Sequence, residues 1–341
     1  MRRYLSVSTM VGLVAAVLAL SLPLLTQDAY FVQVASFIGT ATILALSLGL
    51  LYGYTGQMSF AQAGFYGIGA YTSVLLAERF GFNFFLAAFL GMLLPGAVAF
   101  LVGIPTLRLK GHYLAIATLA LQLGIFEFFV KAEITNGTVG IFGIERPALF
   151  GLSLESNAAY YEVIAIAAIL TFLFAQWLVK SRFGRGLVAI REDEVAAAVV
   201  GINTALYKVI IFAISAMLAG LAGTLYAYQI LFISPVTFNL DYSVVILSMV
   251  VIGGLGSNVG AVLGAVVVSV INQILFSLGD LQFLIYGAWI VLVMVFFPEG
   301  LAGIGRNLYT IGRTRLGAEA RSARSRPTET EDREAEKSDV T

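Results

Sequence analysis

Long apolar runs separated by short polar segments dominate the hydrophobic pattern of the chain. A run of about 17–25 apolar residues matches the length that a helix needs to cross the hydrocarbon core of a bilayer. Ten such runs are present, at 9–25, 31–52, 58–78, 84–107, 113–131, 159–179, 208–232, 241–257, 259–278 and 281–298. Barrel strands would alternate apolar and polar positions instead. The pattern therefore predicts an all-α polytopic membrane protein with about ten transmembrane helices.

Composition supports a lipid environment and narrows the chemistry. Of 341 residues, 59% are hydrophobic and 12% are charged, against about 45–50% apolar and about 25% charged in soluble domains. The chain has no cysteine and one histidine, His112, which excludes thiolate metal sites and imidazole clusters. It also lacks a GxxxxGK[ST] phosphate-binding loop. We expect no catalytic residue, no metal site and no cofactor in this chain.

The distribution of positive charge predicts the topology. Cytoplasmic flanks of spanning helices are enriched in Lys and Arg. With ten crossings and both termini inside, the inner segments hold seventeen of these residues and the outer segments three. This predicts cytoplasmic termini and a transmembrane domain over 1–305, with a cytoplasmic loop at about 180–208 and an outer loop at about 132–158. Residues 306–341 lack an apolar period and mix both charge signs, which predicts a largely disordered cytoplasmic tail.

The cytoplasmic loop 180–208 contains a segment typical of a short amphipathic helix. Glu192, Asp193 and Glu194 stand near its predicted start, where the helix dipole favours acids, and Gly201 stands near its end. Such a helix is suited to docking on a cytoplasmic partner. The alternative is an interfacial helix that lies on lipid.

Two further stretches carry polar residues into apolar surroundings. The glycine-rich segment 53–73 contains Gln57, Ser59 and Gln62, which either line a pathway or are satisfied by neighbours in a close helix packing. The run 113–131 contains Thr118, Gln122 and Glu127. An ion pair between Glu127 and Lys131, four residues on, explains the carboxylate, whereas a functional role is the alternative. The glycine-rich segment 253–265 indicates helix packing.

Several of these stretches resemble the permease family of branched-chain amino-acid ABC importers. "GYTGQMSFAQAGFYGIGAY" (53–71) is similar to the early glycine-rich signature of that family, and residues 181–227 are similar to its central cytoplasmic loop and the following span. "GGLGSNVGAVLGA" (253–265) and "FPEGLAGI" (297–304) resemble its late motifs. "LRLKGHYLAIATLAL" (107–121) favours the M-type subunit over the shorter H-type.

This resemblance implies an ABC importer permease fold and a subunit that is not itself an enzyme. It implies four kinds of partner: an H-type permease subunit, two cytoplasmic ATPase subunits that bind ATP, an extracytoplasmic solute-binding protein and the lipid of a prokaryotic inner membrane. The residues expected to couple to the ATPase are Arg185, Arg191, Glu192, Glu194 and Gly201. Those expected along the translocation pathway are Gln57, Ser59, Gln62, Thr118 and Gln122.

The expected cargo is a branched-chain or related amino acid. Leu123 stands where members of the family often carry a glutamate, and the sequence TNGTVGI at 135–141 departs from the family pattern. Urea or a short amide is therefore an alternative cargo within the same family. A stand-alone channel or secondary transporter for a small neutral solute is the alternative from another class, and it would transport without an ATPase.

Overall fold

The computed structural model describes residues 28–106, 112–149, 152–153 and 156–275, together with 285, 287, 288, 291, 300, 301 and 303. The chain divides into two units, Met1–Leu301 and Ala302–Thr341. The predicted span 9–25 and the predicted tail 306–341 lie outside the described residues. So does the predicted span 281–298, apart from four isolated positions.

Ten α-helices are present in the described ranges. They are α1 (Ala29–Leu48), α2 (Gln62–Phe80), α3 (Phe84–Thr106), α4 (His112–Lys131), α5 (Asn157–Lys180), α6 (Arg182–Glu192), α7 (Glu194–Val199), α8 (Thr204–Ile230), α9 (Leu240–Gly253) and α10 (Asn258–Leu275). A π-helical turn (Gly49–Gly53) extends α1, and short 3-10 helices occupy Glu133–Thr135 and Pro235–Phe238. The only strands described are two antiparallel pairs of two residues each. These pair β1 (Ile141–Phe142) with β4 (Phe232–Ile233), and β2 (Ala148–Leu149) with β3 (Leu152–Ser153).

Six of these helices are long and apolar enough to cross a membrane: α1 with its π turn, α3, α4, α5, α8 and α10. This confirms the predicted all-α polytopic class. Two helices differ from their predicted spans. Helix α2 starts at Gln62 rather than at 58 and is not among the six, and α9 has 14 residues and is a shorter apolar helix. The total of ten crossings therefore stays a prediction.

Close contacts of glycines with the backbone of neighbouring helices build the centre of the bundle. Helix α8 packs most extensively against α2 and α3. A methyl group added at Gly69 would overlap the backbone of Gly220, and one at Gly223 would overlap the carbonyl of Tyr66. In the same way, Gly264 of α10 lies against the carbonyl of Met249 in α9. Small residues let helix backbones approach in this way, and the packing interpretation of 253–265 is confirmed.

The outer helices carry the surface expected to face lipid. Leu101 of α3, Leu170 of α5 and Trp177 of α5 are exposed large apolar side chains. In a membrane such side chains contact hydrocarbon at no cost, whereas in water they would form an unfavourable apolar surface. On α4, Lys131 and Glu127 form an exposed ion pair of 2.6 Å. This confirms the ion pair that the spacing predicted.

The helices give the bundle two ends with different structures. Helices α1 and α5 begin, and α8 ends, at the end where β1 pairs with β4; we call this the strand end. Helix α5 ends and α8 begins at the opposite end, where α6 and α7 connect them; we call this the loop end. The predicted loop 180–208 lies at the loop end, and the predicted loop 132–158 leads to the strand end.

The loop 180–208 contains the predicted short helix as α7, from Glu194 to Val199, and a further helix that was not predicted, α6, precedes it. Asp193 has extended backbone and separates the two helices. Its carboxylate accepts hydrogen bonds from the N–H groups of Val195 and Ala196, as an N-cap does. Glu192 is therefore the last residue of α6 and does not belong to the start of α7.

Candidate functional site

The chain is not helical between α1 and α2, where Gln57, Ser59 and Ala61 are buried. Residues 56–61, which we call the interhelical segment, follow the π turn and precede Gln62. Gly56 enters the segment with a φ of +72°, a conformation that glycine adopts without strain. Irregular backbone at membrane depth is tolerated only where protein or a water-filled cavity surrounds it. This segment is the candidate functional site.

Side chains from other helices satisfy the backbone around the start of α2. The first N–H groups of a helix have no partner within it. Thr118 Oγ1 accepts from the N–H of Phe60 at 3.1 Å, and Gln122 Oε1 accepts from the N–H of Gly64 at 2.6 Å. Ser243 Oγ accepts from the N–H of Ala63 at 3.1 Å. Helices α4 and α9 thus hold the start of α2 in place.

Two glutamines extend these contacts across the bundle. The amide nitrogen of Gln122 donates to the carbonyl of Phe238 at 2.8 Å, so both ends of its amide are bonded. Gln62 Nε2 donates to Ser215 Oγ at 2.6 Å, and Ser215 donates in turn to the carbonyl of Ser47 at 2.8 Å. These bonds connect α1, α2, α4 and α8 around the interhelical segment.

Gln57 differs from its neighbours because its amide is buried without a hydrogen-bond partner among the described residues. The Oε1 atom of Gln62 is also buried without a hydrogen-bond partner among the described residues. A buried amide without a partner costs about 1–3 kcal/mol. Such a cost is tolerated where the group has a use in another state of the protein or with a ligand. Gln57 is therefore the residue of the segment best suited to meet a polar solute.

The five residues predicted for the pathway surround one segment, but they are not equivalent. Thr118 and Gln122 are saturated with backbone hydrogen bonds and have a clear structural role. Ser59 accepts from the N–H of Ala61 at 3.3 Å within the segment itself. Gln57 and Gln62 retain polar atoms that no described residue satisfies. Their role in a pathway remains a prediction.

Arg191 connects the loop end to the interhelical segment. Its Nη1 donates to the carbonyl of Gly53, the last residue of the π turn. The same nitrogen lies beside Gly256, in the turn between α9 and α10. A residue predicted to face an ATPase thus reaches inward to the base of the irregular backbone. This contact joins α6 to the last residue of the π turn.

Glu194 forms an ion pair of 2.6 Å with Lys208, near the start of α8. The Lys208 side chain is 8% exposed and that of Glu194 is 32% exposed. A buried ammonium group near a helix N-terminus is unfavourable unless an acid neutralises it. Glu194 therefore fixes α7 against α8, in addition to the ATPase-facing role predicted for it.

We expect Glu194→Gln to lower the free energy of unfolding by about 1–3 kcal/mol, because the Lys208 charge would lose its partner. This is less than the roughly 3–5 kcal/mol of a fully buried pair, since Glu194 is partly exposed. Denaturant titration of the purified chain in mixed micelles measures the change. Glu192→Gln, at an exposed acid two residues earlier, is the control and should change stability by less than about 0.5 kcal/mol. Equal effects of the two substitutions would contradict the assignment.

Helix α7 presents an apolar surface at the loop end. Val195, Val199 and Val200 are 66%, 82% and 75% exposed. Gly201 follows with a φ of +88°, and open space surrounds the position of its missing side chain. Arg185 is exposed on α6 and donates to the carbonyl of Lys180, and Glu192 is exposed as well. The predicted coupling residues thus lie on one loop, with Arg191 and Glu194 also bound to the bundle.

Sequence reasoning missed the residues that act through tertiary contacts. Ser215 and Ser243 stand in apolar helices with no pattern to distinguish them, although a serine inside a span is a weak signal of a helix contact. The sequence pattern marks Lys208 only as a positive charge of the cytoplasmic loop. Its place four residues into α8, directly before a long apolar run, is the signal that it is drawn into the bundle.

Comparison with known proteins identifies the family. The family described as "Branched-chain amino acid transport system / permease component" matches residues 30–296. The chain is 33% identical to the high-affinity branched-chain amino acid transport system permease protein LivM of Escherichia coli, over 81% of this chain and 70% of that protein. It is 25% identical to a probable LivM permease of Methanocaldococcus jannaschii, over 77% of this chain and 90% of that protein.

The H-type relatives are less similar to this chain than the Escherichia coli LivM protein is. Identity to the LivH permease protein of Escherichia coli is 24%, over 77% of this chain and 91% of that protein. No solved structure matches the chain. The match covers both the interhelical segment and the loop end, and the M-type resemblance is confirmed by the higher identity to LivM. The chain therefore belongs to the permease family of branched-chain amino-acid transport systems, as a LivM-like multi-pass membrane protein.

Proposed function

We propose that this chain is the M-type permease subunit of an ATP-driven importer for branched-chain or related amino acids. The observation that carries the proposal is the loop end, where α7 exposes an apolar surface and Arg191 of the same loop bonds to Gly53. A partner that binds α7 would act on the backbone at the base of the interhelical segment through Arg191 of the adjacent α6. Switching of the side to which a pathway opens needs such a two-state element.

The proposal includes the partners that the family resemblance implies. The apolar face of α7 docks on a cytoplasmic ATPase subunit, one of two that bind and hydrolyse ATP, so this chain needs no cofactor and catalyses no reaction. An H-type permease subunit completes the pathway, and an extracytoplasmic solute-binding protein delivers the cargo. The loop end then faces the cytoplasm, and both termini lie on the cytoplasmic side of a prokaryotic inner membrane.

The interhelical segment contributes to the pathway in this proposal. Gln57 and Gln62 offer amide groups to a zwitterionic or amide-bearing solute, while Thr118 and Gln122 keep the surrounding backbone fixed. Uncharged donors and acceptors bind a small polar solute without holding it as tightly as a full charge would. Ser59 stabilises the turn of the segment.

Co-purification tests the docking of α7. We expect Val199→Asp to reduce the amount of ATPase subunit recovered with this chain at least tenfold, because a carboxylate would be buried in an apolar interface. The chain is expressed with its H-type and ATPase partners and purified in mild detergent. Val139→Asp is the matched control: Val139 is 62% exposed but lies near the strand end, where Gly140 packs on Ile233. Recovery in the control should equal that of the unaltered chain.

Transport by reconstituted vesicles separates this proposal from the channel alternative. We expect uptake of radiolabelled leucine to require ATP, the ATPase subunits and the solute-binding protein. Uptake by the chain alone, without ATP, would overturn the importer proposal and support a stand-alone channel. ATP-dependent uptake of urea or a short amide in place of leucine would keep the importer but replace its cargo.

A further inference from the structure

One face of α5 is apolar and exposed as far as the loop end, where it ends on a cation. Leu170, Phe174 and Trp177 are exposed and lie three or four residues apart, the spacing of a single helix face. The rings of Phe174 and Trp177 have their centres 6.0 Å apart. Lys180, three residues further on, is exposed as well. A tryptophan followed by a lysine is typical of a spanning helix that passes from the hydrocarbon into the headgroup layer.

Three cationic side chains lie at the junction of α5 and α6. Lys180 is the last residue of α5, and Arg182 and Arg185 lie in the first turn of α6. All three are exposed. Arg185 Nη1 donates to the carbonyl of Lys180 at 3.1 Å, which keeps the guanidinium group at the junction. No acid among the described residues forms an ion pair with any of the three, so their charges are available to an anion outside the chain.

The two arginines stand where the dipole of their own helix disfavours them. The first turn of a helix carries partial positive charge, which repels a cation. The first turn of α6 contains no acidic residue that would offset this repulsion. Its N-cap is the uncharged Ser181, whose Oγ accepts from the N–H of Gly184 at 3.1 Å. The local structure therefore gains nothing from Arg182 and Arg185, and an external anion would relieve the repulsion.

Packing against the bundle fixes the position of these cations. Leu187 and Ile190 on the other side of α6 are buried. Gly186 lies so close to the ring of Tyr207 in α8 that an added methyl group would overlap it. Helix α6 is thus held with its cationic side outward, beside the exposed face of α5. A ligand does not have to order the helix when it binds.

We propose that the junction of α5 and α6 binds an anionic phospholipid. Its acyl chains lie along α5 against Phe174 and Trp177, and its phosphate is bound by Lys180, Arg182 and Arg185. Phosphate oxygens accept strong charge-assisted hydrogen bonds from such side chains, and cations next to a spanning helix attract anionic lipid. The adjoining apolar face favours a lipid over a free phosphate ion, which has no group to place there. The proposal requires a membrane protein but not the transport reaction.

Quenching of Trp177 fluorescence tests the site. Trp289→Phe removes the other tryptophan of the chain. The full chain is reconstituted in phosphatidylcholine vesicles that contain phosphatidylglycerol brominated in its acyl chains, or brominated phosphatidylcholine in the same amount. We expect the anionic lipid to bind beside Trp177 at least about threefold more tightly than the zwitterionic lipid. Inorganic phosphate should not reduce this preference relative to chloride at equal ionic strength, and displacement by phosphate would overturn the proposal.

Substitutions at the junction assign the preference to its cations. Arg182→Gln together with Arg185→Gln should abolish it, whereas lysine at both positions should retain it. Arg79→Gln is the matched control, because Arg79 is an exposed cation at the end of α2 that donates to the carbonyl of Ile134. If loss of the Arg185 hydrogen bond prevents folding, Arg182→Gln alone should still lower the preference. An unaltered preference in the glutamine variants would overturn the proposal.

The same measurement on the chain purified together with an H-type permease subunit decides whether protein covers this face instead. The tryptophans of that subunit are first replaced by phenylalanine. A retained preference for phosphatidylglycerol supports the lipid site. Loss of quenching by both brominated lipids would show that the subunit covers Trp177 and would contradict the proposal. Since no ATPase and no uptake enter the measurement, either result leaves the importer proposal untouched.

Discussion

Gly223→Leu should prevent the bundle from assembling. Gly223 lies where α8 crosses α2, and even a methyl group there would overlap the carbonyl oxygen of Tyr66. The obstacle is backbone rather than a flexible side chain, so the two helices would have to separate. Overpacking of a core costs typically 1–3 kcal/mol, occasionally more, and we expect at least about 3 kcal/mol here. The expected result is the loss of monodisperse protein on size-exclusion chromatography.

Gly124→Leu is the matched control for this prediction. Gly124 also lies within an apolar helix, α4, but no described atom comes within 4 Å of an added methyl group. Leucine has a better helix propensity than glycine, and at this position it extends into space available to lipid. We expect normal expression and unchanged elution. A folded Gly223→Leu protein, or equal damage in both variants, would show that the crossing of α2 and α8 does not depend on backbone contact.

Gln122→Leu and Gln57→Leu should have opposite effects on stability, although the substitution is the same and both amides are buried. Loss of the Gln122 amide leaves the N–H of Gly64 and the carbonyl of Phe238 without a partner. Each orphaned group costs about 1–3 kcal/mol. Loss of the Gln57 amide removes two polar atoms that have no partner among the described residues, so unfolding free energy should stay equal or rise by up to about 1 kcal/mol.

Their effects on transport should differ as well. We expect Gln57→Leu to fold well and yet reduce leucine uptake at least tenfold, since a stable protein would lack the amide that meets the solute. Gln122→Leu should lower uptake in proportion to the folded protein that remains. Denaturant titration and ATP-dependent uptake in the reconstituted complex measure the two quantities. Full transport by stable Gln57→Leu would remove Gln57 from the pathway.

Local sequence was sufficient to predict most helices, because each apolar run is long and continuous. The spans 84–107, 113–131 and 159–179 correspond to helices within about two residues at their ends. The start of α2 is harder to predict from the sequence, because its residues are less apolar. It also depends on hydrogen bonds from Thr118, Ser243 and Gln122. Those caps come from helices distant in sequence. No local pattern marks the residue at which the interhelical segment ends.

In the loop 180–208, too, local sequence predicts some features and tertiary contacts decide the others. Its acidic residues correctly indicated a helix start, but only the backbone geometry of Asp193 separates α6 from α7. The family resemblance implied an ATPase-facing surface for Arg191 and Glu194. The structure adds a contact of Arg191 with Gly53 and an ion pair of Glu194 with Lys208. The sequence shows which residues are charged, but only the folded chain shows which group each charge pairs with.

The sequence by itself determined the class of protein and its solvent, because the length of apolar runs and the sparsity of charge are properties of the chain alone. Its motifs also determined the family, which residues 30–296 match. Among the described residues, tertiary structure decided which polar residues are structural and which have unsatisfied atoms. The physical reason is that hydrogen bonding and burial depend on contacts between residues far apart in sequence, such as Gln62 with Ser215.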